Sequence, residues 1–539
     1  MSKTNESLSV DYIIVGAGSA GCVLANRLSA NKDVRVAVFE AGKDNSSWKV
    51  MMPAALTYNL ESNQHNWYYQ TEPQQALNNR KLYWPRGKIV GGSSALNAMV
   101  YIRGNAKDYD RWHDEGATGW NYDNVLPYFK RAETYSKGGN DYRGSDGPLQ
   151  VSSKISDNPL FDAFIQAGVE AGYPATDDVN GKQQEGFGRF DMTISNGKRC
   201  SAAAAYLTRE VRHRQNLTIH ASSYVVKIII DNKKAVGIEY LQSGELKRCY
   251  AEREVILSGG AINSPQLLML SGVGPVDVLR KKGVSVVANL PGVGQNLQDH
   301  LEFYMQYECL KPITLHTISN PLKKLAVGLQ WFLTHTGLAA STHLESGAFI
   351  KSRSDVGYPD IQYHFLPGLV TDHGRSMGNC HAFQVHVGTM RPESRGYVEI
   401  ASSKPTDAPI IQPNYLQTDN DLQDLVACIP LTREIFDQAA FKPYKGNELE
   451  PGSQCQTKRE MEAFVRAKAD SAYHPSGTCK MGVDVMAVVN PSAEVYGVKN
   501  LRVVDASIMP SAISGNLNAP TIMMAERISD MIIADQSAA

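Results

Sequence analysis

The sequence predicts a two-domain protein of mixed α/β class, in which a parallel-sheet domain is interleaved with a domain of antiparallel strands and helices. A chain of 539 residues is too long for one ordinary hydrophobic core. Its N-terminal segment reads as strand, glycine turn, helix and strand, the order of a parallel βαβ unit. From about residue 311 to residue 466 the pattern changes to antiparallel strands, predicted at 360–365, 381–387 and 396–400, and to amphipathic helices, for example at 421–435. This change of pattern predicts the second domain.

Composition indicates a globular protein without a nucleic-acid partner. Hydrophobic residues make up 42% of the chain and charged residues 20%, and 54 basic residues nearly balance 55 acidic ones. No Lys/Arg block predicts a nucleic-acid surface, and no long uncharged apolar run predicts a spanning helix. The 8 cysteines include no C-x-x-C pair, and the polar segment Met1–Val10 shows no pattern that predicts a secretory signal. We expect reduced thiols, a cytoplasmic location and no metal site.

The first glycine motif predicts a dinucleotide site of the Rossmann type. A short apolar strand, Asp11–Val15, leads into the turn, and an acid follows about twenty residues later. Gly16 allows the tight turn, Gly18 lets backbone approach a pyrophosphate, and Gly21 lets the helix pack on the strand. Glu40 can accept hydrogen bonds from a ribose diol. The predicted contacts are Gly16, Gly18, Ser19, Ala20, Gly21, Glu40 and Ala41. This motif alone does not separate FAD from NAD.

A second glycine cluster, Gly91–Ser94, precedes the largely apolar segment Ala95–Ile102. It could be a surface turn. A loop of small residues that is buried by its apolar neighbour instead indicates a large flat ligand pressed against the backbone.

Four segments together resemble the glucose–methanol–choline (GMC) oxidoreductases, which are flavoenzymes that oxidise alcohols. They are Trp84–Arg103, Gly259–Pro275, Ser471–Lys480 and Gly515–Thr521. The second of these segments also predicts the start of a helix, with Pro265 in its first turn. The similarity extends from about Asp11 to Ile533, so it covers nearly the whole chain. It implies FAD and disfavours a nicotinamide-dependent dehydrogenase, since only one nucleotide fingerprint is evident.

The resemblance also implies a domain division and further FAD contacts. The FAD-binding domain would comprise residues 1–155, 206–310 and 467–539, and the substrate domain residues 156–205 and 311–466. Several members attach FAD through a His in the first signature, where this chain reads Ala95-Leu96-Asn97, which implies non-covalent FAD. The further contacts implied are Trp67, Val90, Gly92, Ser93, Asn97, Ala98, Met99, Val225, Asp505, Ala506, Pro520 and Thr521.

The catalytic end predicts the chemistry. His474, with an ordinary pKa near 6.5, suits a base that removes the hydroxyl proton of a primary alcohol while hydride passes to flavin N5, giving the aldehyde. Asn518 would bond the alcohol oxygen, and Pro520 would begin a helix whose positive end faces the flavin. Tyr473 would line the pocket. His300 is interpreted as structural.

Glu345 raises the possibility of choline as the substrate. Choline-oxidising members of the family have an acid at the similar place, which could hold a quaternary ammonium beside aromatic rings. Another primary alcohol, or ordinary structural hydrogen bonding by Glu345, is the alternative.

The electron acceptor is expected to be a quinone or another carrier, with O2 as the alternative. Quinone reduction would bring the protein to the inner face of the membrane as a peripheral protein. Rivals within the fold are a hydroxynitrile lyase and a light-driven fatty-acid decarboxylase, and a non-catalytic nucleotide-binding protein is the rival outside enzymology. The sequence does not predict the oligomeric state.

Overall fold

Two seven-stranded sheets organise the chain, and each has its own hydrophobic core. They are seen in a computed structural model that describes residues 8–44, 47–371 and 376–538. The first sheet is largely parallel and the second is antiparallel, which confirms the predicted α/β class with two interleaved parts. Within the described ranges, no helix is both long enough and apolar enough to cross a bilayer.

The strands of the two sheets alternate along the chain. They are β1 (Leu8–Val15), β2 (Val36–Phe39), β3 (Gly186–Arg189), β4 (Leu217–His220), β5 (Ser223–Asp231), β6 (Lys234–Gln242), β7 (Glu245–Leu257), β8 (Leu301–Cys309), β9 (Ser346–Ile350), β10 (Ile361–Leu366), β11 (Ala382–Thr389), β12 (Lys445–Glu450), β13 (Asp470–Ser471) and β14 (Leu501–Val503). Short two-stranded ladders pair Tyr69–Gln70 with Tyr83–Trp84, Val100–Tyr101 with Asp191–Met192, Glu133–Tyr135 with Leu149–Val151, Ile194–Ser195 with Lys198–Arg199, Val273–Gly274 with Ala288–Asn289, Val370–Thr371 with Ser376–Met377, and Tyr397–Glu399 with Ile410–Gln412.

The α-helices cover both sheets. They are α1 (Ser19–Leu28), α2 (Trp48–Met51), α3 (Leu56–Glu61), α4 (Ala106–Asp114), α5 (Tyr122–Ala132), α6 (Pro159–Glu170), α7 (Ala202–Tyr206), α8 (Arg209–Arg212), α9 (Gly260–Leu270), α10 (Val276–Lys281), α11 (Pro321–Thr334), α12 (Asp419–Phe436), α13 (Lys458–Lys468) and α14 (Asn518–Ala538). Short 3-10 turns lie at Pro53–Ala55, Gln75–Leu77, Gly92–Ala95, Leu315–Ser319, Leu338–Ala340, Ala439–Phe441 and Ala506–Ile508.

The first sheet has the order β4-β2-β1-β7-β6-β5, with β14 also paired to β7. β1 lies between two parallel neighbours, so Ile13 and Ile14 are completely buried. The helix after β1 packs directly on the glycine turn, because a Cβ on Gly21 would lie 1.9 Å from the carbonyl oxygen of Gly16. This contact is the one for which the sequence predicted a glycine. The carboxyl ends of β1, β2 and β7 therefore meet at one edge, where such sheets bind ligands.

The second sheet has the order β12-β8-β11-β10-β9-β3, with β13 also paired to β8. The predicted strands at 360–365 and 381–387 lie at its centre, and the predicted helix at 421–435 is α12. The predicted strand at 396–400 pairs instead with Ile410–Gln412 outside this sheet. β8 begins right after residue 300, so the second sheet already includes residues that the predicted division placed in the first domain. The division itself stays a prediction.

The helix α14 is held in place by ion pairs of its buried residue Glu526. Glu526 is completely buried and accepts hydrogen bonds from the guanidinium groups of Arg27 and Arg131 and from the hydroxyl of Tyr206, at 2.7–2.9 Å. Arg27 belongs to α1, so this ion pair fixes α14 beside α1. As a result the N-termini of both helices lie at the same edge of the first sheet.

Two predicted helix starts are wrong. Pro265 was expected in the first turn of its helix, but α9 begins at Gly260 and contains Pro265 in its interior. Pro520 was expected as the first helical residue, but α14 begins two residues earlier, at Asn518. A proline has no N–H with which to bond the carbonyl four residues earlier. Both prolines are accommodated because that carbonyl lies in the first turn of the helix or just before it.

Candidate active site

A cavity of about 670 Å³ lies between the two sheets, at the carboxyl ends of β1, β2 and β7. Most of the residues predicted from sequence line it. They are Gly16, Gly18, Ser19, Ala20, Glu40, Ala41, Trp67, Gly92, Ser93, Asn97, Ala98, Met99, Val225, Tyr473, His474, Asp505, Ala506, Asn518 and Thr521. Segments that are far apart in the chain are thus brought to one site.

Four predicted residues do not line the cavity. Gly21 lies behind the turn in the helix–strand contact, and Val90 is completely buried in the first core. Pro520 is buried within the first turn of α14. Glu345 is completely buried just before β9. These residues shape the site from outside.

The two glycine loops meet backbone to backbone. Gly16 has φ +98°, which favours glycine, and a Cβ on Gly92 would lie 2.7 Å from the Cα of Gly18. The meeting point lies at the N-terminus of α1, where unpaired backbone N–H groups favour a phosphate. Ser19 Oγ donates to Asn518 Oδ1 at 2.8 Å, which joins the N-termini of α1 and α14. The two loops, Gly16–Gly21 and Gly91–Ser94, form a glycine cradle that fits a dinucleotide pyrophosphate.

Glu40 is held at the end of β2 with its carboxylate at the cavity wall. Its oxygens accept the backbone N–H groups of Ala17 and Gly42 at 2.9 and 2.8 Å. Burial raises the pKa of Glu40 to about 7, against the opposing effect of these two N–H groups and of Lys88. Each oxygen keeps a further lone pair for a ribose hydroxyl.

Asp505 faces the cavity but is largely engaged by the protein. Its Oδ2 accepts from the N–H of Gly260 and the hydroxyl of Ser264, at 2.8 and 2.6 Å, and its Oδ1 accepts from the N–H of Ser507 at 2.8 Å. It therefore fixes the start of α9 against the loop after β14, and has little capacity left for a ligand.

The backbone around His474 is fixed by a buried carboxylate. Asp299 accepts from the His474 N–H at 2.6 Å, from the Ser471 hydroxyl at 2.5 Å, and from the Tyr415 hydroxyl. Burial raises the pKa of Asp299 to about 6. Tyr473, between these contacts, has φ +65°, and its carbonyl accepts from Arg86 at 2.7 Å. This strained turn persists because its neighbours hold it, and it directs the His474 ring into the cavity.

A chain of hydrogen bonds decides which nitrogen of His474 is basic. His300 Nε2 lies 3.0 Å from the Met390 carbonyl oxygen, which can only accept. Burial lowers the pKa of His300 to about 4, so its ring is neutral and its Nδ1 is an acceptor. The His474 Nδ1 atom, 3.0 Å away, must then donate to it. His474 Nε2 is left with the lone pair that accepts a proton.

The residue that faces this lone pair is Asn516. Its Nδ2 lies 3.1 Å from His474 Nε2, and its Oδ1 accepts from Gln362 Nε2 at 3.1 Å. Asn518, for which this role was predicted, bonds Ser19 and begins α14 instead. The sequence contains both asparagines within one short loop, and only the start of the helix decides which one points at His474. In the structure, Asn516 and not Asn518 is therefore the asparagine that contacts His474 Nε2.

We expect the two asparagines to respond differently to truncation. Asn516→Ala removes the donor beside His474 Nε2, so the rate of cofactor reduction by alcohol should fall at least about tenfold with the cofactor still bound. Asn518→Ala, the matched control two residues away, should mainly weaken cofactor retention. Anaerobic rapid mixing measures the first effect and cofactor titration the second. An equal loss of reduction rate in both variants would contradict the assignment.

Electrostatics keep His474 ready to accept a proton. Burial, and then the neighbouring His300, His364 and Arg86, lowers the pKa of His474 well below its ordinary value. The imidazole is therefore neutral at physiological pH. A neutral ring with its Nε2 lone pair facing a cavity is arranged as a general base.

Glu345 is not placed to bind a substrate. Its carboxylate accepts from the backbone N–H groups of Ile155 and Ser156, at 2.9 and 2.8 Å, and from the Ser341 hydroxyl at 2.6 Å. Burial raises its pKa. These bonds join β9 to the segment after residue 150, so Glu345 is a structural acid and its predicted substrate contact does not fit the structure.

The acid that does line the cavity near His474 is Glu302, which the sequence analysis missed. Its Oε1 accepts from His386 Nδ1 at 3.1 Å, and Gln384 Nε2 donates to His386 Nε2 at 2.8 Å. Glu302 and Tyr304 stand on one face of β8, because they are two residues apart in a strand. The sequence signal that could have indicated Glu302 is the alternation of apolar and charged side chains at Leu301, Glu302 and Phe303, directly after His300.

Comparison with known proteins identifies the family. The N-terminal and C-terminal family models described as GMC oxidoreductase match residues 10–302 and 392–525. The chain belongs to the GMC oxidoreductase family. The matched ranges include the glycine cradle, Glu40, His300, His474 and Asn516.

Relatives and solved structures agree with this membership. The chain is 56% identical over 530 residues to a mitochondrial choline dehydrogenase of Mus musculus, covering 97% of this chain and 89% of the other. It is 52% identical over 530 residues to an oxygen-dependent choline dehydrogenase of Vibrio vulnificus, covering 98% and 94%. A formate oxidase of Aspergillus oryzae RIB40, studied for its FAD modification, shares 26% identity and superposes with a TM-score of 0.91 over 99% of this chain and 100% of that one.

This GMC oxidoreductase is an FAD-dependent enzyme that acts on the CH–OH group of donors. Its own cavity fits that cofactor. The glycine cradle leaves room for backbone to meet a pyrophosphate, and the Ser258 hydroxyl at the cavity wall is buried without a partner in the described part of the chain. Asn97 also lines the cavity, where a covalent attachment would need a nucleophilic side chain.

Glu40→Ala should weaken FAD binding by about ten- to a hundredfold, because charged hydrogen bonds to the ribose are lost. The dissociation constant can be measured by quenching of flavin fluorescence on titration of apoprotein. Glu239→Ala, in β6 of the same sheet and paired with Arg248, is the control and should bind FAD normally. An unchanged dissociation constant for FAD in Glu40→Ala would contradict the expectation that Glu40 binds the ribose.

Proposed function

We propose that this enzyme oxidises choline to betaine aldehyde, with His474 as the base and Glu302 as the partner of the trimethylammonium group. The observation that carries the proposal is a carboxylate fixed in the wall of the cavity that also contains His474 and Asn516. The names of the relatives, which are choline dehydrogenases, support the same substrate.

The surroundings of Glu302 suit a quaternary ammonium. A trimethylammonium group has no N–H, so it is recognised by negative charge and aromatic faces rather than by hydrogen bonds. Tyr304 and Tyr473 line the same cavity, and the charge of Glu302 contributes to raising the pKa of both phenols, after burial as the main cause. Both phenols therefore stay neutral, and the carboxylate is the negative charge available to the cation.

The proposed chemistry uses the atoms described above. The alcohol hydroxyl takes the place of the Asn516 N–H at His474 Nε2, which then accepts the hydroxyl proton, while Asn516 Nδ2 donates to the alcohol oxygen as it gains negative charge. His300 holds the His474 tautomer, because its Nδ1 can only accept. When bound, FAD supplies the two-electron oxidant that takes the hydride from the carbinol carbon. Asp299 keeps the ring in place throughout through the backbone of His474.

The acceptor that reoxidises the cofactor is proposed to be a quinone or another electron carrier, which brings the enzyme to a membrane surface as a peripheral protein. The name of the Vibrio relative favours O2 as a second candidate. Reduction under anaerobic conditions followed by addition of air or of a soluble quinone separates the two. A return of the oxidised flavin band with quinone that is much faster than with air supports the first acceptor.

A paired-substrate experiment tests the choice of choline. The enzyme is mixed anaerobically with choline or with its neutral isostere, in which carbon replaces the ammonium nitrogen. We expect choline to be preferred by about a hundredfold in the second-order rate constant of cofactor reduction, since shape is matched and only charge differs. Equal rate constants would overturn the cation site and leave a general alcohol oxidation.

A further inference from the structure

The helix α11 carries an apolar stripe on its outer face that residues 8–44, 47–371 and 376–538 do not cover. Within the described residues, Leu322, Leu325, Leu329, Phe332 and Leu333 are exposed by 76%, 69%, 56%, 51% and 73%. At 100° per residue, these positions fall in one arc of roughly 100° around the helix. Scattered exposed leucines need no explanation, but a continuous stripe of five does.

The opposite face of α11 holds the helix on the protein. Trp331 is its one buried residue, and its indole N–H donates to the Gly197 carbonyl at 2.7 Å. Trp331 packs with Met52, Ala339 and Ala340 in a small separate core. The helix is also capped, because the Asn320 side chain accepts from the N–H of Leu322 at 2.9 Å. The stripe is therefore presented by an ordered helix.

Aromatic side chains extend the apolar surface at one end of the helix. Trp48 contacts both Phe332 and Tyr58, with ring centroids 5.6 and 5.9 Å apart. Trp48 and Tyr58 are each 38% exposed. Partly exposed Trp and Tyr beside leucines are typical of surfaces that reach the headgroup layer of a bilayer.

The charged residues on α11 and in its flanking segments are all positive. The sequence contains no Asp or Glu between Glu308 and Glu345, whereas Lys311, Lys323 and Lys324 lie in that interval. On the neighbouring α2, Lys49 lies over the Tyr58 ring at 5.8 Å, and Lys324 lies over the same ring at 5.9 Å. Lysines that flank an apolar face attract anionic lipid headgroups.

We propose that α11, with Trp48 and Tyr58, docks this enzyme on the surface of an anionic lipid bilayer. The helix would lie in the plane of the interface, with the leucine stripe among the acyl chains and the lysines at the phosphates. A second copy of the chain would also cover apolar surface, but the flanking lysines would then face the same lysines across a two-fold axis. Lipid is the occupant that satisfies both the apolar stripe and the positive charge.

The docking surface adjoins the active-site cavity. Tyr58, Lys324, Leu315 and Ile318 line that cavity, so its α11 side would open at the lipid surface. This consequence rests on the proposed function, because it matters for an acceptor dissolved in the bilayer. The docking itself does not depend on which substrate is oxidised.

Vesicle flotation with the holoenzyme tests the proposal. Vesicles of phosphatidylcholine containing phosphatidylglycerol should bind the enzyme, and vesicles of phosphatidylcholine alone should bind it more weakly. The double variant Leu325→Glu/Leu329→Glu should lower the partition coefficient on the order of a hundredfold. Its activity with a soluble dye acceptor should equal that of the unsubstituted enzyme, because neither leucine lines the cavity.

A matched control places the same charges on other exposed apolar residues. Leu246 and Val483 are exposed by 56% and 70%, close to the values for Leu329 and Leu325. The double variant Leu246→Glu/Val483→Glu should bind vesicles as the unsubstituted enzyme does. The proposal is overturned if the unsubstituted enzyme does not bind anionic vesicles, if both double variants lose binding equally, or if sedimentation shows a dimer that only Leu325→Glu/Leu329→Glu dissociates.

Discussion

His474→Ala should slow the reduction of bound FAD by alcohol between about a hundred- and ten-thousandfold. The reason is geometric as well as chemical. His474 Nδ1 donates to His300, so Nε2 is the ring nitrogen whose lone pair faces the cavity, beside Asn516 Nδ2. Without it, the hydroxyl proton has no acceptor when the hydride leaves the carbinol carbon.

The measurement for this variant is anaerobic rapid mixing, followed at the flavin absorbance band. FAD content of the purified variant should be unchanged, because the cradle around Gly16, Gly18 and Gly92 is distant in sequence and independent of the ring. His381→Ala is a matched control, since its Nδ1 bonds the Thr314 hydroxyl at 2.8 Å and the ring does not line the cavity. If the flavin of His474→Ala is reduced at a rate within about tenfold of normal, His474 is not the base.

Glu302→Gln should lower the preference for choline over its neutral isostere by about a hundredfold, and the loss should fall on choline alone. Glutamine keeps the length of the side chain and its acceptor oxygen, so His386 can still be bonded. The negative charge is what disappears. The neutral isostere should therefore be oxidised at a rate close to normal.

The control for Glu302→Gln is the same substitution at the other acid, Glu345→Gln. That substitution removes charge from a buried acid that accepts from the N–H groups of Ile155 and Ser156. It should lower the thermal midpoint of the protein and leave the ratio of the two substrates unchanged. If Glu345→Gln lowers the ratio and Glu302→Gln does not, the structural assignment of the two acids is reversed.

The glycine motifs could be predicted from sequence because their chemistry is local. Gly16 adopts φ +98° in the turn itself, Gly21 must avoid the carbonyl oxygen of Gly16 five positions earlier, and the structure places Glu40 at the end of the next parallel strand. The antiparallel second sheet could be predicted from strand pattern, although its order could not. Strand order depends on contacts between residues that are far apart in the chain.

The structure departs from these expectations where one or two residues of register decide the outcome. Asn516 and Asn518 lie two residues apart, and the start of α14 at Asn518 leaves Asn516 in the preceding loop, where it contacts His474. Glu302 and Glu345 are both isolated acids in apolar surroundings. Which one is satisfied by backbone N–H groups depends on the segment at Ile155 and Ser156, which no local pattern brings to Glu345. The tautomer of His300 likewise depends on a hydrogen bond to the carbonyl of Met390, which lies far along the chain.

The central claim is that this protein oxidises an alcohol with its own bound flavin, and an anaerobic titration in the dark tests it most directly. The holoenzyme is titrated with choline, hexanol, benzyl alcohol and hydroxymethylfurfural while the flavin band is recorded and the aldehyde is quantified. We expect choline to bleach the flavin most effectively, with one betaine aldehyde formed for each flavin reduced. If a fully loaded enzyme is bleached by none of these alcohols, the claim is contradicted, and a lyase or a light-driven reaction on the same fold becomes the better account.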